Sequence, residues 1–223
     1  VSFGTTLPEA TVSVMAAGKG NPDLALGNAI GSIIANTALI IGLAAIIGRL
    51  PADKKSVKKQ GNIQILAAVL LSIMALPFFS KAETGIITQK MGIGLVILLI
   101  IYIIGSIQSA RNSSDENSNN NSGEEQSGIL IIIKLALGIA LVILSSKVLI
   151  PTVEITAIRA GVPQSVIAAT LVAFGTSLQE LITAITAVRH GHGELAVGNI
   201  IGADILNILF VIGSAAAVTK EGL

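Results

Sequence analysis

Two glutamates lie in nearly identical surroundings within an otherwise apolar chain. The first belongs to FGTTLPE, residues 3–9, and the second to FGTSLQE, residues 174–180. A carboxylate at bilayer depth costs about 2.5–3.5 kcal/mol on insertion scales, so we expect Glu9 and Glu180 to face the protein interior and to have partners there. Neither motif contains a Lys or an Arg that could serve as that partner.

The polar residues that accompany the glutamates are oxygen donors. Calcium takes about six to eight oxygen ligands, and sodium also prefers oxygen, whereas zinc and copper favour nitrogen and sulfur. The motifs contain no histidine, and the chain has no Cys. Both motifs therefore indicate a site for a hard cation. The neighbouring hydroxyls and side-chain amides belong to Thr5, Thr6, Thr176, Ser177, Asn28, Asn36, Asn199 and Asn207.

The composition places these motifs in a membrane. The chain has 223 residues, of which 52% are hydrophobic and only 12% are charged, about half the charge of ordinary soluble domains. Several apolar runs approach the roughly 20 residues that a helix needs to cross a bilayer. A net charge of +1 without a basic cluster on one face excludes a nucleic-acid partner. The predicted segments are 1–17, 28–48, 62–80, 91–109, 129–150, 164–188 and 195–218.

The polar stretches between these segments predict the topology. Residues 111–128 are acidic and rich in Asn and Ser, which is typical of a flexible linker, here between halves 1–110 and 129–223. The basic loop 49–61 is expected in the cytoplasm, and alternation places the linker on the same side. The chain begins without Met inside a motif, so we interpret it as truncated at both ends.

The two motifs belong to an internal repeat. Residues 3–42 align without a gap to residues 174–213, at an offset of 174 − 3 = 171, and about 17 of the 40 positions are identical. The matches include glutamate, asparagine, threonine and five glycines, which chance similarity between apolar helices would not align. The second copy begins with the sixth helix, five steps after the first, and because five is odd the two copies run in opposite directions across the membrane. Inverted repeats of this kind are typical of secondary transporters.

Backbone chemistry predicts a weakened helix at each motif. Pro8 lacks an N–H, which would free a carbonyl in the Ser2–Gly4 region, and Gly4 and Gly175 weaken the helix at matching points. Gln179 retains the N–H that Pro8 lacks, so we expect the second break to be less sharp. Further along each copy, GNAIGS and GNIIGA contain the GxxxG spacing that allows close helix packing.

These paired motifs resemble the alpha repeats of the calcium/cation antiporter superfamily, specifically its prokaryotic sodium/calcium exchanger-like proteins. The resemblance covers essentially the whole chain. It implies an all-α transmembrane bundle of ten helices with inverted repeats, about seven of them in this sequence, and exchange of calcium against sodium or another monovalent cation. Glu9 and Glu180 would be the shared central ligands. Further oxygens would come from Thr5, Thr6, Thr176, Ser177, Ser32, Asn36 and Asn207, and from the carbonyls of Ser2 and Ala173.

The chain departs from the family pattern at several site positions. Gln179 stands where proline is usual, and Ala203 stands where a serine hydroxyl is common. Asn36 and Asn207 are both amides, where some relatives carry an aspartate. Asp204 could restore a negative charge as a ligand, or could pair with another helix. Asn28 and Asn199 are further candidates for the site. The resemblance implies no cofactor, because the ions are transported ligands.

Alternating access is the leading mechanism, with sodium-driven extrusion of calcium across a prokaryotic plasma membrane. Proton-coupled exchange is an alternative, because a glutamate at bilayer depth can take up a proton. A cation-binding membrane protein without transport activity is a second alternative. An intramembrane enzyme is disfavoured, since the sequence shows no nucleophile triad, HExxH or phosphate-binding loop. The oligomeric state does not follow from the sequence.

Overall fold

Helices form almost all of the described chain. The structure is a computed structural model that describes residues 2–51, 54–77, 85–114 and 128–223, and these residues contain no strand. Of the seven helical segments in the described chain, α1 is broken at Thr6 and α6 at Ser177. In chain order, α1 is Ser2–Thr5 followed by Leu7–Gly18, α2 is Pro22–Ile47, α3 is Lys54–Met74, α4 is Gln89–Ser114, α5 is Gly128–Ala160, α6 is Gln164–Thr176 followed by Leu178–Arg189, and α7 is Gly193–Val218.

Each predicted apolar segment overlaps one of these helices, but several predicted boundaries are wrong. The basic stretch predicted as a loop over 49–61 is helical from Lys54, because Lys and Gln are good helix formers that extend a helix beyond its apolar part. α5 continues through Pro151 to Ala160, where we expected a loop. The predicted linker 111–128 stays a prediction: α4 ends at Ser114 and α5 begins at Gly128, and residues 115–127 lie outside the described residues.

The exposed surface of α4 is apolar, as expected of a helix in lipid. Ile93, Ile97, Ile100 and Ile104 are all exposed, and only 17% of its most apolar window is buried, against 78% for α7. α7 is therefore the central helix of the described bundle, and α4 is peripheral. By length and composition, three helices of the described chain, α2, α4 and α7, can cross a membrane, and the bent α6 would be a fourth. The predicted cytoplasmic side of the basic stretch stays a prediction.

The two repeats pack against each other reciprocally. Repeat 1 consists of α1 and α2, and repeat 2 consists of α6 and α7. The first part of α2 packs against the first half of α6, and the first part of α7 packs against the first half of α1. Each repeat therefore supplies the surface on which the broken helix of the other rests. The two breaks meet at the interface between the repeats.

Close packing of α2 against α6 depends on the glycines of GNAIGS. A Cβ atom at Gly27 would lie 2.8 Å from the carbonyl oxygen of Ser165, and one at Gly31 would overlap the backbone of Ala169. The expectation that this spacing brings helices together is therefore confirmed for the first repeat. In the second repeat, a Cβ at Gly198 would meet no described atom within 4 Å, whereas one at Gly202 would meet the Ser2 hydroxyl.

Three helices contain a turn of π-helix. These turns span Ala35–Ile40 in α2, Ala168–Val172 in α6 and Asn207–Ile212 in α7. The turns in α2 and α7 contain Asn36 and Asn207, the matching amides of the two repeats. π-turns are frequent at functional sites because they re-aim side chains within a continuous helix.

Candidate cation site

The helix breaks place the two glutamates at equivalent positions. Each glutamate lies in the first turn of the second half of its broken helix, Glu9 in Leu7–Gly18 and Glu180 in Leu178–Arg189. Both side chains are only 1% exposed. The positive end of the helix dipole favours a carboxylate in this turn, which offsets part of the cost of burying it.

The two breaks have the same backbone conformation, so our expectation of a milder second break is wrong. Thr6 has φ −83° and ψ −4°, and Ser177 has φ −78° and ψ 5°; α6 bends by 44° there. Proline is present only in the first copy, whereas hydroxyls that bond back to the preceding turn are present in both. Such bonds bend helices, which accounts for a break without proline.

The hydroxyls in the breaks bond to the carbonyls of Ser2 and Ala173. Thr5 Oγ1 and Thr6 Oγ1 donate to the Ser2 carbonyl at 3.1 and 2.8 Å, and the Thr6 amide donates to it as well. Thr176 Oγ1 donates to the Ala173 carbonyl at 3.1 Å. The Ser2 carbonyl therefore has donors. The missing N–H of Pro8 removes the helical donor of the Gly4 carbonyl, which lies in the predicted Ser2–Gly4 region.

Each glutamate is contacted by hydroxyls of the opposite repeat. Ser177 Oγ lies 3.4 Å from Glu9 Oε1, and Thr176 lies beside the same carboxylate. Thr5 lies beside Glu180, and the two glutamates are close enough to repel each other. The site is therefore shared between the repeats, and neither repeat forms it alone.

Four buried oxygen atoms at this interface have no hydrogen-bond donor among the described residues. They form two pairs related by the repeat, Glu9 Oε2 with Glu180 Oε2 and Asn36 Oδ1 with Asn207 Oδ1. Leaving a buried acceptor unpaired costs about 1–3 kcal/mol, and more for a charged group. Two carboxylate and two amide oxygens are ligands that calcium and sodium accept. The chemistry of these four oxygens therefore suits a hard cation.

Asn28 links the two repeats beside this oxygen set. Its amide nitrogen donates to Ser13 Oγ at 3.0 Å and to the Glu9 carbonyl at 3.3 Å, and its oxygen accepts from Thr176 Oγ1 at 3.3 Å. Ser32 Oγ lies 3.5 Å from the same threonine hydroxyl. The amide of Asn28 thus fixes the hydroxyl that contacts Glu9.

The matching amide of the second repeat is less well satisfied. Asn199 Oδ1 accepts from Ser2 Oγ at 2.9 Å, but Asn199 Nδ2 is buried without an acceptor. The counterpart of Ser13 in the second repeat is Ala184, since 13 + 171 = 184, and Ala184 has no hydroxyl. Among the described residues, the Asn199 amide nitrogen therefore lacks the hydroxyl acceptor that Ser13 gives to Asn28 in the first repeat.

Replacing Ala184 with serine is expected to stabilise the protein by about 1 kcal/mol, because the new hydroxyl gives Asn199 Nδ2 an acceptor. In the first repeat, the equivalent Ser13 Oγ both accepts from Asn28 and donates to the Ala25 carbonyl. Thermal unfolding of the detergent-solubilised protein measures the change, with Ser13→Ala as the opposite, destabilising variant. An unchanged or lower melting temperature for Ala184→Ser would contradict this account of the asymmetry.

Asp204 pairs with side chains of other helices. Its carboxylate accepts hydrogen bonds from Asn36, Thr37 and Gln64, and within the described residues no three His, Cys, Asp or Glu side chains form a common metal cluster. Of the two readings of Asp204, the geometry favours pairing over direct ligation. Ala203 is fully buried and contributes no side-chain oxygen.

Three polar residues of this network were not among the candidates from the sequence. Ser13, Thr37 and Gln64 each hold a site residue in place through one hydrogen bond or more. Gln64 could have been noticed as an amide inside the apolar run IQILAAVLL, and Ser13 as a hydroxyl four residues after Glu9. Thr37 could not have been noticed in this way, because threonine side chains that hydrogen-bond to their own helix are common.

Comparison with known proteins identifies the family. The sequence profile described as sodium/calcium exchanger protein matches residues 1–108 and 130–222. The chain belongs to this family. Its members are transporters with the inverted-repeat fold that the two motifs predicted, and the resemblance drawn from those motifs is thereby confirmed.

Individual relatives agree with this assignment. The chain is 33% identical to inner membrane protein YrbG of Escherichia coli over 98% of its own length and 67% of that protein. It is 33% identical to the sodium/calcium exchanger MaX1 of Methanosarcina acetivorans, covering 96% of this chain and 70% of the relative. Among solved structures, the sodium-calcium exchanger NCX_Mj soaked with 10 mM Na⁺ and 10 mM Sr²⁺ matches with a TM-score of 0.64 and 30% identity, over 99% of this chain and 69% of that one. The chain thus spans about two thirds of these relatives.

Proposed function

We propose that this protein exchanges calcium for sodium across the membrane by alternating access at the site between the two repeats. The observation that carries the proposal is the set of four buried, unpartnered oxygens of Glu9, Glu180, Asn36 and Asn207. A cation is the partner that satisfies all four together. The similarity to MaX1 and NCX_Mj, both of which are named sodium/calcium exchangers, supports sodium and calcium as the ions.

The pair of glutamates supplies a reason for exchange. Two like charges buried at one interface repel each other, so the site is least stable when it holds no cation. One calcium ion, or sodium ions of equal total charge, neutralises the two carboxylates, but the same oxygens cannot hold both sets of ions at once. Mutually exclusive occupation makes the release of one ion depend on the binding of the other.

The reciprocal packing of the repeats supplies a route for alternating access. Transporters with inverted repeats move one repeat or bundle against the other around a site near the midplane. Here Glu9 with its partners from α6, and Glu180 with its partner from α1, lie on opposite sides of the interface that such a motion would open.

The types of side chain in the candidate site favour sodium over protons as the coupling ion. A proton needs only a carboxylate, whereas the two amide oxygens and the hydroxyls beside the glutamates are additional ligands suited to a metal cation. Proton-coupled exchange would use the oxygens of Asn36 and Asn207 only while calcium is bound, whereas sodium would use them in both halves of the exchange.

Uptake of calcium-45 into proteoliposomes that contain the full-length protein tests the proposal. We expect an outward sodium gradient to drive uptake, and an outward proton gradient of equal size, at symmetric sodium, to drive far less. Uptake driven by the proton gradient alone would favour the proton-coupled alternative. Calcium binding in detergent without flux under either gradient would indicate a non-transporting cation-binding protein.

A further inference from the structure

A single buried aspartate joins three helices beside the candidate cation site. Asp204 on α7 is 1% exposed, and its carboxylate accepts from Asn36 Nδ2 at 3.0 Å, from Thr37 Oγ1 at 2.8 Å and from Gln64 Nε2 at 2.8 Å. Asn36 and Thr37 belong to α2, and Gln64 belongs to α3. The repeat does not account for this aspartate, because its counterpart in the first copy is Ile33, since 204 − 171 = 33.

The contact with Asp204 determines which end of the Asn36 amide faces the site. A carboxylate oxygen accepts hydrogen bonds, so the amide nitrogen of Asn36 must turn toward it. The amide oxygen is then directed away from Asp204, and this is one of the four buried oxygens without a donor. In the reversed orientation, an NH₂ group would face the cation and repel it.

We propose that Asp204 is a positioning residue for the cation site, which holds the Asn36 amide with its oxygen toward the transported ion. The proposal rests on the proposed function. The hydrogen bonds from Thr37 and Gln64 occupy the second carboxylate oxygen, Oδ2, and thereby fix the carboxylate itself. They also give α3, which lies outside both repeats, a direct connection to the site.

If Asp204 acts by accepting a hydrogen bond from Asn36, its variants should differ in calcium affinity from what would be expected if it acted through its charge. Asp204→Asn retains an oxygen that can accept from Asn36, while Thr37 and Gln64 can reorient to accept from the new NH₂ group. Asp204→Leu retains the approximate volume and removes the acceptor. We therefore expect calcium affinity to fall about tenfold or more in Asp204→Leu, the range typical for loss of a partner that orients a metal ligand, and to change less than about threefold in Asp204→Asn.

A second substitution removes the need for positioning. An aspartate at position 36 presents an oxygen to the ion in either orientation, so it does not depend on Asp204. In the double variant Asn36→Asp/Asp204→Leu, we expect calcium affinity to return to within a few-fold of the wild type. A purely structural role of Asp204 would not be rescued in this way, because the carboxylate at position 36 cannot restore the hydrogen bond to Gln64.

Calcium titration calorimetry on the purified full-length protein, with thermal unfolding in calcium-free buffer beside it, measures these affinities. The proposal is overturned if a folded Asp204→Asn binds calcium as weakly as Asp204→Leu, or if a folded double variant stays as weak as Asp204→Leu. If Asp204→Leu does not fold, the proposal requires that Asp204→Asn and the double variant both bind within a few-fold of the wild type, and weaker binding by either overturns it. A wild type that binds no calcium would overturn the proposed function itself, and this positioning role with it.

Discussion

Replacement of Glu180 by glutamine is expected to lower calcium uptake on the order of 100-fold. The change removes one of two central carboxylates, and calcium affinity depends strongly on the number of charged ligands. Glu180 is 1% exposed and one of its oxygens has no donor in the described structure, so glutamine fits the space but offers a neutral oxygen and an NH₂ group. Calcium-45 uptake into sodium-loaded proteoliposomes measures the loss, and Glu9→Gln is expected to behave alike.

A thermal measurement separates loss of the site from loss of the fold. Without calcium, Glu180→Gln should be at least as stable as the wild type, because the substitution removes repulsion between two buried carboxylates. At a calcium concentration of 100 times Kd, the wild type should gain about 2.7 kcal/mol, and the variant should gain almost nothing. Glu194→Gln is the matched control, since this glutamate is exposed in the first turn of α7. Undiminished uptake by Glu180→Gln would rule out the assignment of the site.

Replacement of Gly31 by alanine is expected to destabilise the protein by about 2–3 kcal/mol, the upper part of the range for an overpacked interior. The added Cβ would overlap the backbone of Ala169, with the carbonyl carbon at 2.7 Å. The neighbour is a backbone rather than the end of a flexible side chain, so α2 and α6 must separate. Because α6 carries the hydroxyls that contact Glu9, we expect transport to fall as well.

Gly198→Ala is the matched control for this prediction. It makes the same change in a GxxxG spacing, but its Cβ would meet no described atom within 4 Å. Alanine is a better helix former than glycine by roughly 1 kcal/mol, so this variant should be neutral or slightly stabilised. Thermal unfolding in detergent compares the two. Equal melting temperatures for both variants would show that the α2–α6 contact does not limit stability.

The repeat, the helical segments and the candidate site residues could be predicted from the sequence because each depends on local pattern. Glutamate, asparagine and glycine recur in register, and apolar runs mark the helices. The residues at which the helices begin and end were less predictable. Lys54 begins a helix because a helix can continue past its apolar part, and Pro151 lies inside α5 because membrane helices tolerate proline where other groups satisfy the freed backbone.

The supporting network could not be predicted because it depends on contacts between distant parts of the chain. Gln64 and Asp204 are 140 residues apart, and nothing in their local sequences relates them. The break at Ser177 was underestimated for a related reason. We gave weight to the proline at position 8, whereas the feature that both copies share is a threonine hydroxyl, of Thr5 or Thr176, that donates to the preceding turn.

On α2 and α7, every fourth residue is buried, and these residues form a stripe whose direction along the helix depends on the π-turns. Positions 28, 32, 36, 40 and 44 are all buried, as are 199, 203, 207, 211 and 215. In a regular α-helix, steps of four residues rotate the stripe by about 40° each, so five positions would wind nearly halfway round the helix. A wider turn at Asn36 and Asn207 counteracts this rotation and keeps the stripe closer to straight.

The polar part of the stripe on α2, from Asn28 to Asn36, is about 12 Å long at 1.5 Å per residue. This is less than half of a hydrocarbon core of about 30 Å. The polar track of α2 is thus too short to connect both sides of the membrane, and beyond it the stripe continues with the apolar Ile40 and Ala44.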